Sequence, residues 1–220
     1  MEASTLRERQ LERSRADLLQ AALDIIARDG LPAVSIESVL RECGMARATL
    51  YAHFPGGRDA LLRAAYDRAG RDLLGLAERD ASRETHWRGR MLSYARTMIE
   101  YSASPSLGHF YSVSGPHLMG FLSSRGVGSQ GYFETFRDAL VDAASSGELA
   151  PGADPQALAI LLSSSLRDAG IALARQETTT SAVMASIGLL LDGLAVHRGS
   201  AEQREAPSSS WHRAAAGTEH

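Results

Sequence analysis

Residues 34–54, VSIESVLRECGMARATLYAHF, leave the chain little freedom of local structure. Ser35 suits an N-cap, because its hydroxyl can accept from a first-turn backbone N–H that has no partner inside the helix. Val34 before it and Val39 after it stand at the spacing of a hydrophobic staple. Gly44 can take the left-handed conformation that closes a helix at Cys43. Met45 then turns inward, and a second short helix starts near Ala46. Val39, Met45, Leu50 and Phe54 give the pair one shared apolar side, which leaves Arg47, Thr49, Tyr51 and His53 on or near the outer side. Such a set suits a DNA groove: Arg can direct two donors at a guanine edge, and hydroxyls and imidazole can hold phosphates. The competing reading is a helical hairpin that touches no DNA.

The run Arg47-Ala48-Thr49-Leu50-Tyr51-Ala52-His53-Phe54, after Gly44 and the Gly30 loop, resembles the helix-turn-helix of TetR/AcrR-type bacterial transcriptional regulators. Its specific part is Thr-Leu-Tyr-x-His-Phe, and the resemblance spans residues 13–70. It implies an all-α fold with an N-terminal three-helix DNA-binding head and a C-terminal helical bundle for ligand binding and dimerisation. It further implies a homodimer on double-stranded operator DNA, a repressor's role, and an unidentified small-molecule inducer. Carried onto this chain, the DNA-contacting set is Ser35, Arg47, Ala48, Thr49, Tyr51, His53 and Arg58. Two residues depart from the family pattern. Ala46 replaces the usual Ser or Thr cap of the second helix, and Leu40 replaces a small Ala where the two helices cross.

Charge adds no support for DNA binding. The chain carries a formal −3, and residues 1–60 hold eight Arg against nine Asp and Glu. Any basic face must come from placement. Arg7, Arg9, Arg13 and Arg15 alternate with Glu8 and Glu12, either as a solvated helix start or as an arm that touches phosphate. The single Cys43 excludes an internal disulfide and reads as a small buried residue in a reducing cytoplasm. No apolar leader opens the chain, and no run approaches the ~18 apolar residues of a membrane span. An enzyme is disfavoured by the lack of a Gly-x-Ser-x-Gly elbow, a phosphate loop, a dinucleotide fingerprint or a His-Glu-x-x-His pair. No cofactor is expected, and His109 and His117 are too isolated for a metal site.

Hydrophobic spacing predicts the remaining helices. The first runs from Ser14 to Asp29, with Leu18, Ala22, Ile25 and Ile26 inward and Leu11 as a possible extension. Another starts at Arg58, where its N–H groups and side chain could reach a phosphate, and continues past Leu76 as a link from the head. A helix over 84–102 carries Trp87, Met91, Tyr94, Met98 and Tyr101 on one face. That face is either plain core or the wall of a ligand pocket, since Met adapts to shape and Tyr has a polar tip. The pocket set is Met91, Tyr94, Met98, Tyr101, Phe110, Phe121, Phe133 and Phe136. Residues 103–131, rich in Gly and Ser, predict short helices near 106–112 and 116–124. Three more helices follow, over 130–146, 155–175 and 179–197. The last two are apolar on more than one side and must be covered on both. The expected cover is the same pair from a second subunit, through Leu166, Ala169, Gly170, Leu173, Ile187, Leu190 and Leu194. Arg167 and Asp168 could pair across that interface or face the pocket. The division predicted is 1–57 head, 58–198 ligand-binding and dimerisation unit, and 199–220 a disordered tail. A regulator with no small-molecule ligand, answering to a protein partner or to its own expression level, is the alternative.

Overall fold

The apolar stripe of the first helix holds in three dimensions. In the computed structural model, which describes residues 6–119 and 126–196, α1 spans Leu6–Asp29 and buries Leu18, Leu19, Ala22, Ile25 and Ile26. It begins earlier than the Ser14 start read from the sequence. Leu6 and Leu11 on the added turns are 79% and 50% exposed, so no core holds those turns. A helix already nucleated over 14–29 simply propagates back through good helix formers.

Gly30 and a 3-10 turn at Leu31–Ala33 lead into the motif. α2 covers Ile36–Cys43. Ser35 Oγ accepts from the Ser38 N–H at 3.0 Å, and Ser38 Oγ accepts from the Ser35 N–H at 2.8 Å, a reciprocal capping box. Val34 and Val39 are both buried beside it. Gly44 closes α2 in the left-handed region at φ 67°. α3 covers Arg47–His53, and Ala46 gives it no side-chain cap. α4, Gly57–Ala81, buries Leu61, Leu62 and Ala65 early in its length and Ala69, Leu73 and Ala77 further on. α1 packs on α2, α3 and α4, so α4 belongs to the core of the head at one end.

Beyond the head, α5 spans Trp87–Ser102 and is the central helix, in contact with α4, α8, α9 and α10. The segment after it is helical with an irregular middle. It comprises α6 at Leu107–His109, a π-helical stretch at Phe110–Ser114 and α7 at Gly115–Met119. α8 covers Val127–Ser145, α9 Pro155–Ala174 and α10 Thr180–Leu194. Asp154 caps α9 by accepting from the N–H groups of Gln156 and Ala157, with Pro155 in the first turn. Thr179 caps α10 through the Ala182 N–H. Among the described residues there is no strand, only an isolated bridge between Leu149 and Ala195. The all-α fold with its helix-turn-helix head is as expected. Residues 120–125 and 197–220, with Phe121, the end of the second predicted short helix and the predicted tail, lie outside the described residues.

Two packing features set the interior. α4 and α8 cross at glycines: a Cβ on Gly70 would stand 3.1 Å from the Gly128 nitrogen, and the Tyr111 hydroxyl fills the place of a Gly128 Cβ. Around that crossing the aromatic side chains pack on one another. Tyr66 stacks on Tyr111 at 5.3 Å, Tyr101 meets Tyr111 edge-on at 5.5 Å, and Tyr94 meets Tyr132 edge-on at 5.4 Å.

The outer faces of the last two helices stay uncovered. Leu161 is 61% exposed on α9, and Leu189 and Leu190 are 73% and 55% exposed on α10. One sequence expectation needs correction. α9 is long and apolar enough to cross a membrane by length and composition, with mean hydropathy 1.5. Arg167 and Asp168 interrupt the run but do not lower its mean far enough. Its inner side packs on α5 and α8.

Candidate DNA interface and apolar chamber

α3 is anchored from behind. Leu50 and Phe54 are buried, and the Arg15 guanidinium lies over the Phe54 ring at 5.2 Å. The opposite side is left outward: Arg47, Ala48 and Tyr51 are exposed, and Thr49 and His53 half-buried. Arg47 lies over the Tyr51 ring at 5.8 Å, and its Nη1 pairs with Glu37 Oε1 at 3.2 Å. A backbone N–H at the start of α2, with help from Arg47, holds the Glu37 carboxyl below the usual carboxylate range. The sequence reading missed this neighbour of Arg47. The signal that could have found it is an acid in the first turn of α2, on the side that faces the start of α3. Behind the motif, Arg28 donates to both oxygens of Glu42 at 3.1 Å and so ties α1 to α2. It holds the Glu42 carboxyl below its ordinary range.

Two of the expected DNA contacts are occupied within the chain. Ser35, half-buried, has its hydroxyl engaged in the capping box. Arg58 is turned inward: its Nε donates to the Val34 carbonyl at 2.6 Å and its Nη2 to the Leu31 carbonyl at 3.4 Å. Those carbonyls belong to the turn between α1 and α2, where helical partners run out, and a guanidinium offers several donors in one plane. The side chain of Arg58 therefore clamps α4 onto the head and is not free for a phosphate in this arrangement.

The expected pocket residues split in two. A chamber of about 250 Å³ lies among α5, α8, α9 and α10, and among the described members of the expected set only Met91 and Phe136 line it. Tyr94, Tyr101 and Phe110 are packed against other rings, Met98 is buried, and Phe133 lies under the Arg137 guanidinium at 5.9 Å. Their apolar area is largely covered by other side chains of the protomer. The remaining wall comes from Ala95, Leu162, Ser165, Leu166, Ala169, Thr178, Ala182, Val183, Ser186, Ile187, Leu190 and Leu191. Four of these, Leu166, Ala169, Ile187 and Leu190, carry an expectation of dimer contact from the sequence. Of the rest of that set, Gly170 packs on Ser102 and Ser112, Leu173 is buried in the protomer, and Leu194 is half-buried. The pattern of the sequence, apolar on two sides, fits an interface and a chamber wall equally well. Arg167 and Asp168 lie exposed on the outer side of α9, 3.6 Å apart, and do not line the chamber.

A second, smaller cavity of about 140 Å³ lies near the start of α5, among polar residues that include His86, Arg90, Asp142 and Glu148. Its charges are mixed and it offers no single preference.

Residues 18–65 match the family described as "Bacterial regulatory proteins, tetR family". The resemblance first carried by the Thr-Leu-Tyr-x-His-Phe motif is borne out by that match. No curated protein sequence matches the chain. Among solved structures, the fold is similar to a TetR-family transcriptional regulator from Pectobacterium atrosepticum. That comparison has TM-score 0.70 and 23% identity, over 88% of this chain and 99% of that one. It is also similar to the regulator FadR from Bacillus subtilis in complex with stearoyl-CoA, with TM-score 0.60 and 14% identity, over 80% and 96%. RolR in complex with resorcinol gives TM-score 0.59 and 15% identity, over 86% and 91%.

Proposed function

We propose that this chain, a DNA-binding regulator by the tetR-family match of its head, is a homodimeric repressor released from a palindromic operator by a small, mostly apolar molecule. The reading places it in the cytoplasm, with residues 1–57 as the DNA-binding unit and 58–198 as the ligand-binding and dimerisation unit. The observation that carries it is the outward row Arg47, Ala48 and Tyr51 on a helix fixed from behind by Leu50 and Phe54. A rigid helix of this kind can hold donors against base edges while neighbouring hydroxyls hold phosphates. The exposed apolar faces of α9 and α10 favour pairing with a second copy, and a two-fold dimer presents two α3 helices to half-sites about 34–36 Å apart. The ligand reading rests on the 250 Å³ chamber, whose lining bears no charged side chain. RolR and FadR, of similar fold, were solved with resorcinol and stearoyl-CoA.

Selection of bound fragments from random-sequence DNA tests the first half. The expected product is an inverted repeat, and its loss with Arg47→Ala is the expected control. Selection that returns no common sequence would overturn the reading. A heat-shift screen against small apolar compounds tests the second half, because a regulator governed by a protein partner or by expression level would yield no stabilising compound.

A further inference from the structure

Arg47 is the first residue of α3, the end from which a recognition helix reaches base edges. Its ion-pair partner comes from the other motif helix. Glu37, in the first turn of α2, places Oε1 3.2 Å from Arg47 Nη1. Both side chains are more than half exposed, so the pair lies on the outer surface of the head. The Tyr51 ring, 5.8 Å from the guanidinium, restrains Arg47 further. Bonded to a backbone N–H at the start of α2, the Glu37 carboxyl stays ionised at neutral pH and can only accept.

An anion in this place opposes DNA binding in general, because phosphates repel it on every sequence. The fold gains little from it. The start of α2 is already satisfied by the Ser35–Ser38 capping box, and Arg28 with Glu42 already ties α2 to α1. An ion pair between exposed side chains adds little to stability. What the pair does offer is a pattern, a donor and an acceptor side by side. The major-groove edge of a G·C pair carries the opposite pattern: N7 and O6 of guanine accept, and N4–H of cytosine donates. O6 and N4 are joined by a base-pairing hydrogen bond, which spans about 2.7–3.2 Å. The 3.2 Å between Nη1 and Oε1 fits that spacing. Arg47 keeps further N–H groups for O6 and N7, while Glu37 takes the outward N4–H. An A·T pair sets thymine O4, an acceptor, against the carboxylate, and the repulsion rejects it.

We infer that Glu37 determines specificity: it accepts from the groove-facing N4–H of the cytosine paired with the guanine that Arg47 reads, so two helices read one G·C pair together. This rests on the regulatory reading above and adds to it a base pair that each half-site must carry.

Selection from random-sequence DNA with the full wild-type chain and with Glu37→Ala, followed by titration of labelled duplexes, tests this. The wild-type inverted repeat is expected to hold a G·C pair at the position whose preference Arg47→Ala relaxes. Glu37→Ala is expected to lower the preference for that pair at least tenfold. It should bind unrelated DNA at least as tightly as wild type, since an anion has left the interface. A second arm leaves the protein unchanged. N4-methylcytosine opposite the same guanine replaces the outward N–H by a methyl group and keeps the guanine edge. Wild type is expected to lose at least tenfold in affinity on that duplex, and Glu37→Ala less than twofold. No loss in wild type overturns the inference, and so does an equal loss in both, which a bulky methyl alone would produce. An unchanged base preference in Glu37→Ala also overturns it, as does any other base pair at the Arg47 position. In each of these cases the inverted repeat, and with it the regulatory reading, still stands. A wild type that selects no common sequence overturns both.

Discussion

Arg47 and Arg58 are chemically identical side chains with different surroundings. Arg47 meets solvent, Glu37 and the Tyr51 ring, whereas Arg58 meets two backbone carbonyls. Truncating them should therefore have different readouts. Arg47→Ala is expected to weaken operator binding by about 1–3 kcal/mol and to relax preference at one base pair, measured by mobility shift against operator variants. Tyr51→Ala is expected to weaken binding to all sequences alike. If both variants bound operator as wild type does, α3 would not be the recognition helix. Arg58→Ala is expected to act on the fold instead. Loss of charge-assisted bonds to carbonyls costs about 1.5–3 kcal/mol, seen as a lower unfolding midpoint in denaturant. An unchanged midpoint would show that the clamp contributes nothing.

At the scale of the elements, the two motif helices differ in how they begin. α2 has a full capping box and α3 has none. Ala46→Ser is expected to stabilise the head by about 1 kcal/mol, and Ser35→Ala to destabilise it by a similar amount, both read by chemical denaturation. The α4–α8 crossing is less forgiving. Gly128→Ala would drive a methyl group into the Tyr111 hydroxyl, and the rigid ring cannot step aside without disturbing Tyr66 and Tyr101. It should lower stability more than any exposed Gly→Ala change, and a neutral result in thermal unfolding would contradict the close approach. The same aromatic cluster sets a pH limit. Burial raises Tyr66 and Tyr101 to about 12 and pushes Tyr111 and Tyr132 up as well. Because these folded-state values lie above the value of about 10 in an unfolded chain, their contribution is fully present below pH ~10. It is lost as pH rises toward about 12 and beyond. Tyrosinate absorbance at alkaline pH should thus rise together with the loss of helical circular dichroism, and a gradual rise in a still-helical protein would count against it.

For the whole molecule, the question is how a chamber among α5, α8, α9 and α10 could influence α3. α5 touches the chamber and α4, and α4 reaches the head, where Arg58 fixes it to the turn before α2. In the dimer proposed above, a ligand that shifts α5 or spreads α9 from α10 would change the spacing of the two heads without touching a DNA contact. Coupling of this kind amounts to about 1–3 kcal/mol and is reciprocal. A bound compound should then lose affinity on addition of operator by the factor by which it weakens operator binding. Equal compound affinity with and without DNA would exclude the coupling. Ala95→Trp, on the α5 side of the chamber, is expected to mimic or block the compound while the dimer stays folded.

The sequence by itself determined the local features. Capping residues, the left-handed Gly44, the apolar stripes and the Thr-Leu-Tyr-x-His-Phe motif act over a few residues, so their consequences are legible in one dimension. The helices from Ile36 to Ala81 and from Pro155 to Leu194 begin and end close to where their signals place them. Tertiary structure decided which apolar residues pack on which. Tyr94, Tyr101 and Phe110 have the composition of a pocket wall, yet in the fold they pack against other rings and do not line the chamber. Leu166 and Ile187 have the composition of an interface, and they line a gap because α9 and α10 each pack on α5 and little on one another. Hydrophobicity has no direction, so a pattern of apolar residues states that a face must be covered and leaves the covering surface to the packing of the chain.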